Sequence, residues 1–131
     1  MTPFGARLRQ LRRARRVTLK AMAAHLQVSS AYLSALEHGH RGRPSAGLVH
    51  QVNDFFGLIW DEAGELSELA KLSHPKVSLD TAGLTPEATA LANRLAGSIR
   101  KLSPQTVAAM HGLLDREAPP EKPRLRRAAG R

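Results

Sequence analysis

The sequence predicts an all-α protein, and three observations carry that prediction. Apolar residues recur at intervals of three and four through most of the chain, and no segment alternates as a strand would. Serine or threonine stands just before most of these runs, and glycine follows several of them, which is how helices start and stop. Apolar residues make up 42% of the chain but aromatic ones only 4%, so the core must be built from Leu, Ala, Val and Ile, as in helical bundles.

Phe4, Leu8 and Leu11 keep one apolar line from Phe4 to Arg15 while arginine fills most of the other side, which predicts a short amphipathic first helix. Thr18 is placed to cap a second helix with Met22, Ala23 and Leu26 facing inward. Gln27 and Val28 form a turn, Ser29 caps a third helix, Leu33 and Leu36 give it a buried stripe, and Gly39 ends it. The loop "HRGRP", residues 40–44, leaves little room for regular structure. A fourth helix is expected from about Ser45 to Phe56, with Leu48, Val49, Val52, Phe55 and Phe56 inward and Gly57 at its end. A fifth begins near Asp61, with Ile59, Ala63, Leu66 and Ala70 in register.

Pro75, Gly83 and Pro86 then interrupt the helical period. Thr85-Pro86-Glu87 restarts it with a capping hydroxyl, a proline at the first helical position and a carboxylate near the positive end of the dipole. Ala88, Leu91, Ala92, Leu95, Ile99 and Leu102 follow at helical spacing. Ser103-Pro104 repeats the start signal for a last helix through Val107, Met110 and Leu114 to about Arg116.

The net charge of +9 is unevenly placed. Residues 1–50 hold nine Lys or Arg against one Glu, residues 51–118 hold six against nine acids, and residues 119–131 hold five against one. A basic first third, an acidic middle and a basic tail fit a polyanion-binding module, a scaffold and an electrostatic arm. Cysteine is absent, which removes disulfides and thiolate metal sites. No apolar run approaches the roughly 20 residues needed to span a bilayer, and no apolar segment follows the first arginines as in a secretory signal. A cytoplasmic, nucleoid-associated protein is expected, with no membrane contact.

Residues 17–39, "VTLKAMAAHLQVSSAYLSALEHG", carry the functional signal. Two short helices joined by a tight turn, with a helix on either side, have the form of a helix-turn-helix, whose second helix enters the major groove of DNA. Small residues at the start of that helix let its backbone approach closely. Ser29 and Ser30 can bond phosphates or bases, and Ala31 can meet a thymine methyl group.

Residues 4–57 resemble the lambda-repressor-like, or Xre-type, helix-turn-helix family. The resemblance is carried by "LRQLRRARRVT" (8–18), "MAAHLQVSSAYLSALEHG" (22–39) and "RPS" (43–45). It implies that Ser29, Ser30, Ala31, Tyr32 and Ala35 face bases, that Ser34, Arg41 and Arg43 meet phosphates, and that Arg12 and Glu37 form a structural ion pair. Two positions depart from the family pattern. Leu19 stands where glutamine often contacts DNA, so either that contact is lost or Lys20 supplies a substitute at a phosphate. Arg16 stands where glycine is common and adds a phosphate contact of its own. None of positions 29–32 or 35 is Arg, Asn or Gln, so bidentate base readout is missing and phosphate contacts and DNA shape must carry more of the recognition.

The expected organisation is a five-helix DNA-binding domain over residues 1–72 with its motif at 18–38, then a linker or crossover at 73–85. A helical hairpin over 86–118 follows as the dimerisation region, and then a disordered basic tail at 119–131. The alternative for 86–118 is that these helices fold back to cover Phe55, Phe56 and Trp60. The remaining arginines of the first helix, Arg7, Arg9, Arg13 and Arg15, belong either to a solvated face or to a phosphate grip. Lys122, Arg124, Arg126, Arg127 and Arg131 of the tail form either a DNA arm or a solvated terminus.

Other motifs are weaker. His38-Gly-His40 has no carboxylate or cysteine at ligand spacing, so no metal is expected. Asp61, Glu62, Glu65 and Glu68 read as a solvated helix face. No nucleophile elbow and no glycine-rich phosphate loop is present, so neither an enzyme nor a cofactor is expected. The expected function is sequence-specific binding of double-stranded DNA as a homodimeric transcriptional regulator, acting by repression. The second reading is an antitoxin-like interaction module that binds a partner protein through residues 58–118 and regulates its own gene.

Overall fold

The computed structural model describes residues 1–118. Regular structure among them is helical throughout: α1 (Pro3–Arg15), α2 (Leu19–Leu26), α3 (Ser30–His38), α4 (Ala46–Phe56), α5 (Asp61–Lys71), α6 (Pro86–Ser98) and α7 (Pro104–Glu117), with a 3-10 turn at Ile99–Lys101. The tail at 119–131, expected to be disordered, lies outside the described residues with its basic side chains. Two compact units divide the chain, the first covering Met1–Val77 and the second beginning at Ser78.

Hydroxyl caps set the starts of the first four helices. Thr2, Thr18, Ser29 and Ser45 each accept a hydrogen bond from the amide three residues on, in Gly5, Ala21, Tyr32 and Leu48, at 3.0–3.1 Å. One otherwise orphaned donor is satisfied at each helix start, worth about 1 kcal/mol. The same four helices end alike. Arg16, Gln27, Gly39 and Gly57 adopt left-handed backbone with φ of 55°, 60°, 85° and 66°. The following amide then reaches back to a carbonyl five residues earlier, as Val17 does to Arg12 at 2.8 Å and Val28 to Ala23 at 3.0 Å.

The core of this unit is one apolar cluster drawn from all five helices. Phe4, Leu8, Met22, Leu33, Leu36, Val52 and Leu66 are essentially removed from water. α1 packs on α3 and α5, α2 on α3 and α4, and α4 on α5. Ser73, also buried, closes the far end: its Oγ accepts from the Phe4 amide at 2.9 Å and donates to the Leu69 carbonyl at 2.6 Å.

Some expected positions differ. Ile59, read as part of the inward register of the fifth helix, is 62% exposed, and Leu58 is buried instead. The chain reverses at Gly57, and Trp60 takes φ 54° and ψ −123°, so the period of α5 does not extend back across the turn. Phe55 is only partly buried, its ring lying 4.6 Å from that of His25. The helix expected to run to Leu102 tightens into the 3-10 turn after Ser98.

In the second unit Thr85 and Ser103 cap α6 and α7 in the same way, with proline in the first turn of each. Neither helix contains a buried residue. Ala92, Leu95, Leu102, Val107 and Met110 are half-buried, while Leu84, Leu91, Ile99, Leu113 and Leu114 are exposed. None of the described helices is long and apolar enough to cross a membrane.

Candidate nucleic-acid interface

The pair α2–α3 is held against α1 by Glu37. Its side chain is 1% exposed, and its carboxylate accepts Arg12 Nε at 3.2 Å and Arg12 Nη2 at 3.3 Å, with Arg9 Nη2 3.9 Å away. Backbone contacts reinforce this. The Thr2 amide donates to the Glu37 carbonyl at 3.1 Å, and Gly5 lies so close that a Cβ there would collide with that carbonyl. With its C-terminal half fixed in this way, α3 presents its N-terminal turn outward.

Ser29, Ser30 and Ala31 are exposed at that turn, and Tyr32, Ser34 and Ala35 are half-buried. The Ser29 Oγ is engaged by the Tyr32 amide but keeps its own proton free to donate. The Ala35 carbonyl accepts from the His40 amide at 2.9 Å, which fastens the start of the following loop to α3, and the Ser34 carbonyl accepts from His38 Nδ1 at 2.8 Å within the helix.

A shallow groove runs from the tip of α3 to the first turns of α4. Val28, Ser29 and Tyr32 line it together with Ser45, Gly47, Leu48 and Gln51. Arg41 lies over the Tyr32 ring, its guanidinium carbon 5.5 Å from the centroid, which places a cation beside the groove. Of the residues singled out by sequence, the structure gathers Ser29, Tyr32 and Arg41 here. Ser30 and Ala31 are exposed just past the cap but do not enter the groove lining. Arg16 and Lys20 are exposed at the end of α1 and in the first turn of α2, and Arg43 lines a separate cavity.

Gly47 and Gln51 were not anticipated as part of this surface. Ser45 reads as the start of the fourth helix, but nothing in the spacing shows that the start of α4 lies next to the start of α3. That proximity is tertiary, set by the packing of α2 against both helices. Two helix N-termini sharing one groove is an arrangement suited to anions, because free backbone amides and the dipole both favour negative charge there. No group of three or more His, Asp or Glu that could hold a metal ion occurs among the described residues.

Five short helices, with the second and third forming a tight two-helix unit whose tip is exposed, define a helix-turn-helix domain. Residues 3–66 match the family model described as a helix-turn-helix domain, and this part of the chain is a helix-turn-helix domain similar to those of Xre-like regulators. The chain is 42% identical over 52 residues to the HTH-type transcriptional regulator RghRB of Bacillus subtilis (strain 168), covering 40% of this chain and 37% of that protein. It is 31% identical over 80 residues to the HTH-type transcriptional repressor RghR of the same organism, covering 57% of this chain and 58% of the relative. The matches therefore span less than two thirds of either relative's length. No solved structure matches the chain.

Proposed function

We propose that this protein is a transcriptional regulator that binds double-stranded DNA sequence-specifically and acts by repression. The observation that carries this reading is the exposed tip of α3, Ser29 to Ala31, standing out from a domain locked by Arg12 and Glu37. In this reading α3 enters the major groove. Ser29, Ser30, Ala31, Tyr32 and Ala35 face base edges, while Arg16, Lys20, Ser34, Arg41 and Arg43 hold phosphates. The small side chains admit the backbone to the groove but supply few strong base contacts. Affinity then rests on phosphate contacts, and part of the specificity rests on DNA shape. Repression follows from occupancy of a site that polymerase must cross, and the name of one relative supports that sign.

The protein acts as a homodimer in this account, because one short reading helix covers too few base pairs to specify a site. The exposed leucines of α6 and α7 are the surface for a second copy. Hydroxyl-radical footprinting on DNA from the protein's own upstream region tests both points. The expected pattern is two protected half-sites about 10 base pairs apart on one face of the duplex. A single unpaired patch of protection contradicts the dimer, and uniform protection contradicts sequence specificity.

A further inference from the structure

The groove between α3 and α4 holds one polar side chain that neither a helix cap nor the core accounts for. Gln51 is exposed on α4, four residues after Gly47, and both line the groove with Ser29 and Tyr32 from the start of α3. Residues four apart share a face of a helix, and helical side chains lean toward the helix N-terminus. The Gln51 side chain therefore leans toward position 47, where glycine leaves the way open. A Cβ there would meet nothing nearer than Ser45 Oγ at 4.0 Å. His50, the next residue, lines the cavity between α4 and α5 instead.

The chemistry of the groove admits a phosphate strand. Its lining carries no carboxylate, and the Arg41 guanidinium stands beside it over the Tyr32 ring. The hydroxyls of Ser29 and Ser45 already accept from the amides of Tyr32 and Leu48, at 3.0 and 3.1 Å. The Gln51 amide takes part in no such cap and faces water. It brings two N–H donors to the groove without adding charge, which suits the oxygens of a nucleic-acid backbone.

We infer that Gln51 donates to the DNA backbone, on the strand that passes beside the start of α3. The inference rests on the reading of α3 as the helix that enters the major groove, and it adds a residue outside the helix-turn-helix to the contact. A hydrogen bond of this kind fixes the position of the duplex but carries no sequence information, because every nucleotide presents the same phosphate.

Charge placed at position 51 tests this, since the position is exposed and its substitution leaves the core untouched. The full chain and its variants are titrated with a duplex from the protein's own upstream region and with a scrambled duplex, over a salt series. Gln51→Lys should tighten binding to both duplexes and steepen the logarithmic salt dependence by about 0.9, the share of one phosphate. Gln51→Glu should weaken binding to both at least about fivefold at low salt, with the preference between them unchanged. His50→Lys and His50→Glu put the same charges on the neighbouring face of α4 and should leave the salt slope as it is. Gln51 variants that bind like the unsubstituted protein overturn the inference and leave the reading of α3 standing. So do His50 variants that act as strongly, because net charge alone would then explain the effect. Loss of binding confined to the upstream duplex in Gln51→Glu overturns the assignment to the backbone. An unsubstituted protein that binds neither duplex overturns the DNA-binding reading, and this inference with it.

Discussion

Arg12 on α1 and Glu37 on α3 form a two-point ion pair in which the carboxylate is 1% exposed and the guanidinium side chain 12%. The asymmetry decides what each substitution does. Glu37→Gln leaves a guanidinium that can still reach water, whereas Arg12→Gln leaves a carboxylate in the core with only Arg9 at 3.9 Å to answer it. Arg12→Gln should therefore cost about 3 kcal/mol and Glu37→Gln about 1–2 kcal/mol. Urea unfolding of the two variants checks this. Equal or reversed losses would show that the pair is not buried as described.

Gly5 sets a second constraint at the same contact. A methyl group there has no space, because the obstacle is the Glu37 backbone and not a movable side-chain end. Gly5→Ala should lower stability by more than about 2 kcal/mol by pushing α1 away from α3, despite the higher helix propensity of alanine. Thermal unfolding would decide it, and a stabilised variant would mean that the two helices do not approach this closely.

Two helix ends carry strain that the other two avoid. Arg16 and Gln27 hold φ of 55° and 60°, the backbone that Gly39 and Gly57 adopt without cost. Gln27→Gly should raise stability by about 0.5–1 kcal/mol, or a few degrees in melting temperature. Arg16→Gly should do the same while weakening DNA binding through the loss of the phosphate contact proposed for it. The two readouts moving in opposite directions would separate the structural role of position 16 from its electrostatic one.

These ends show what the sequence could and could not convey. Caps with side-chain hydroxyls at Thr18, Ser29, Thr85 and Ser103 were legible because they are local chemistry, whereas Ser45, read as the first residue of the fourth helix, turns out to cap it. Thr2-Pro3 has the same form as Thr85-Pro86, yet α1 was expected to begin at Phe4, one residue after its actual start. The left-handed ends at Arg16 and Gln27 were hidden because neither residue prefers that backbone. Ile59 was misplaced because a helical period was carried across a reversal at Gly57. At the site, the tip of α3 followed from spacing and family resemblance. Gly47 and Gln51 could not, since their place beside Ser29 depends on how α2, α3 and α4 pack.

Leu91 on α6 and Leu114 on α7 are exposed apolar side chains on helices with no buried residue. Helices of this kind gain stability by covering such residues against a partner. Leu91→Lys combined with Leu114→Lys should shift the protein from dimer to monomer in sedimentation velocity while the first unit keeps its melting transition. A dimer that survives both charges would place the second copy elsewhere, and a monomeric unsubstituted protein would end the proposal.

The proposed function stands on the tip of α3 reading DNA. Fluorescence anisotropy on a duplex from the protein's own upstream region, against a scrambled duplex over a series of salt concentrations, tests it most directly. A preference of roughly a thousandfold or more is expected at physiological salt. Replacing Ser30 or Ala31 by a bulky residue should remove that preference and leave the salt slope unchanged. Equal binding to both duplexes with a steep salt dependence would contradict it, leaving a basic protein that grips phosphate without reading sequence.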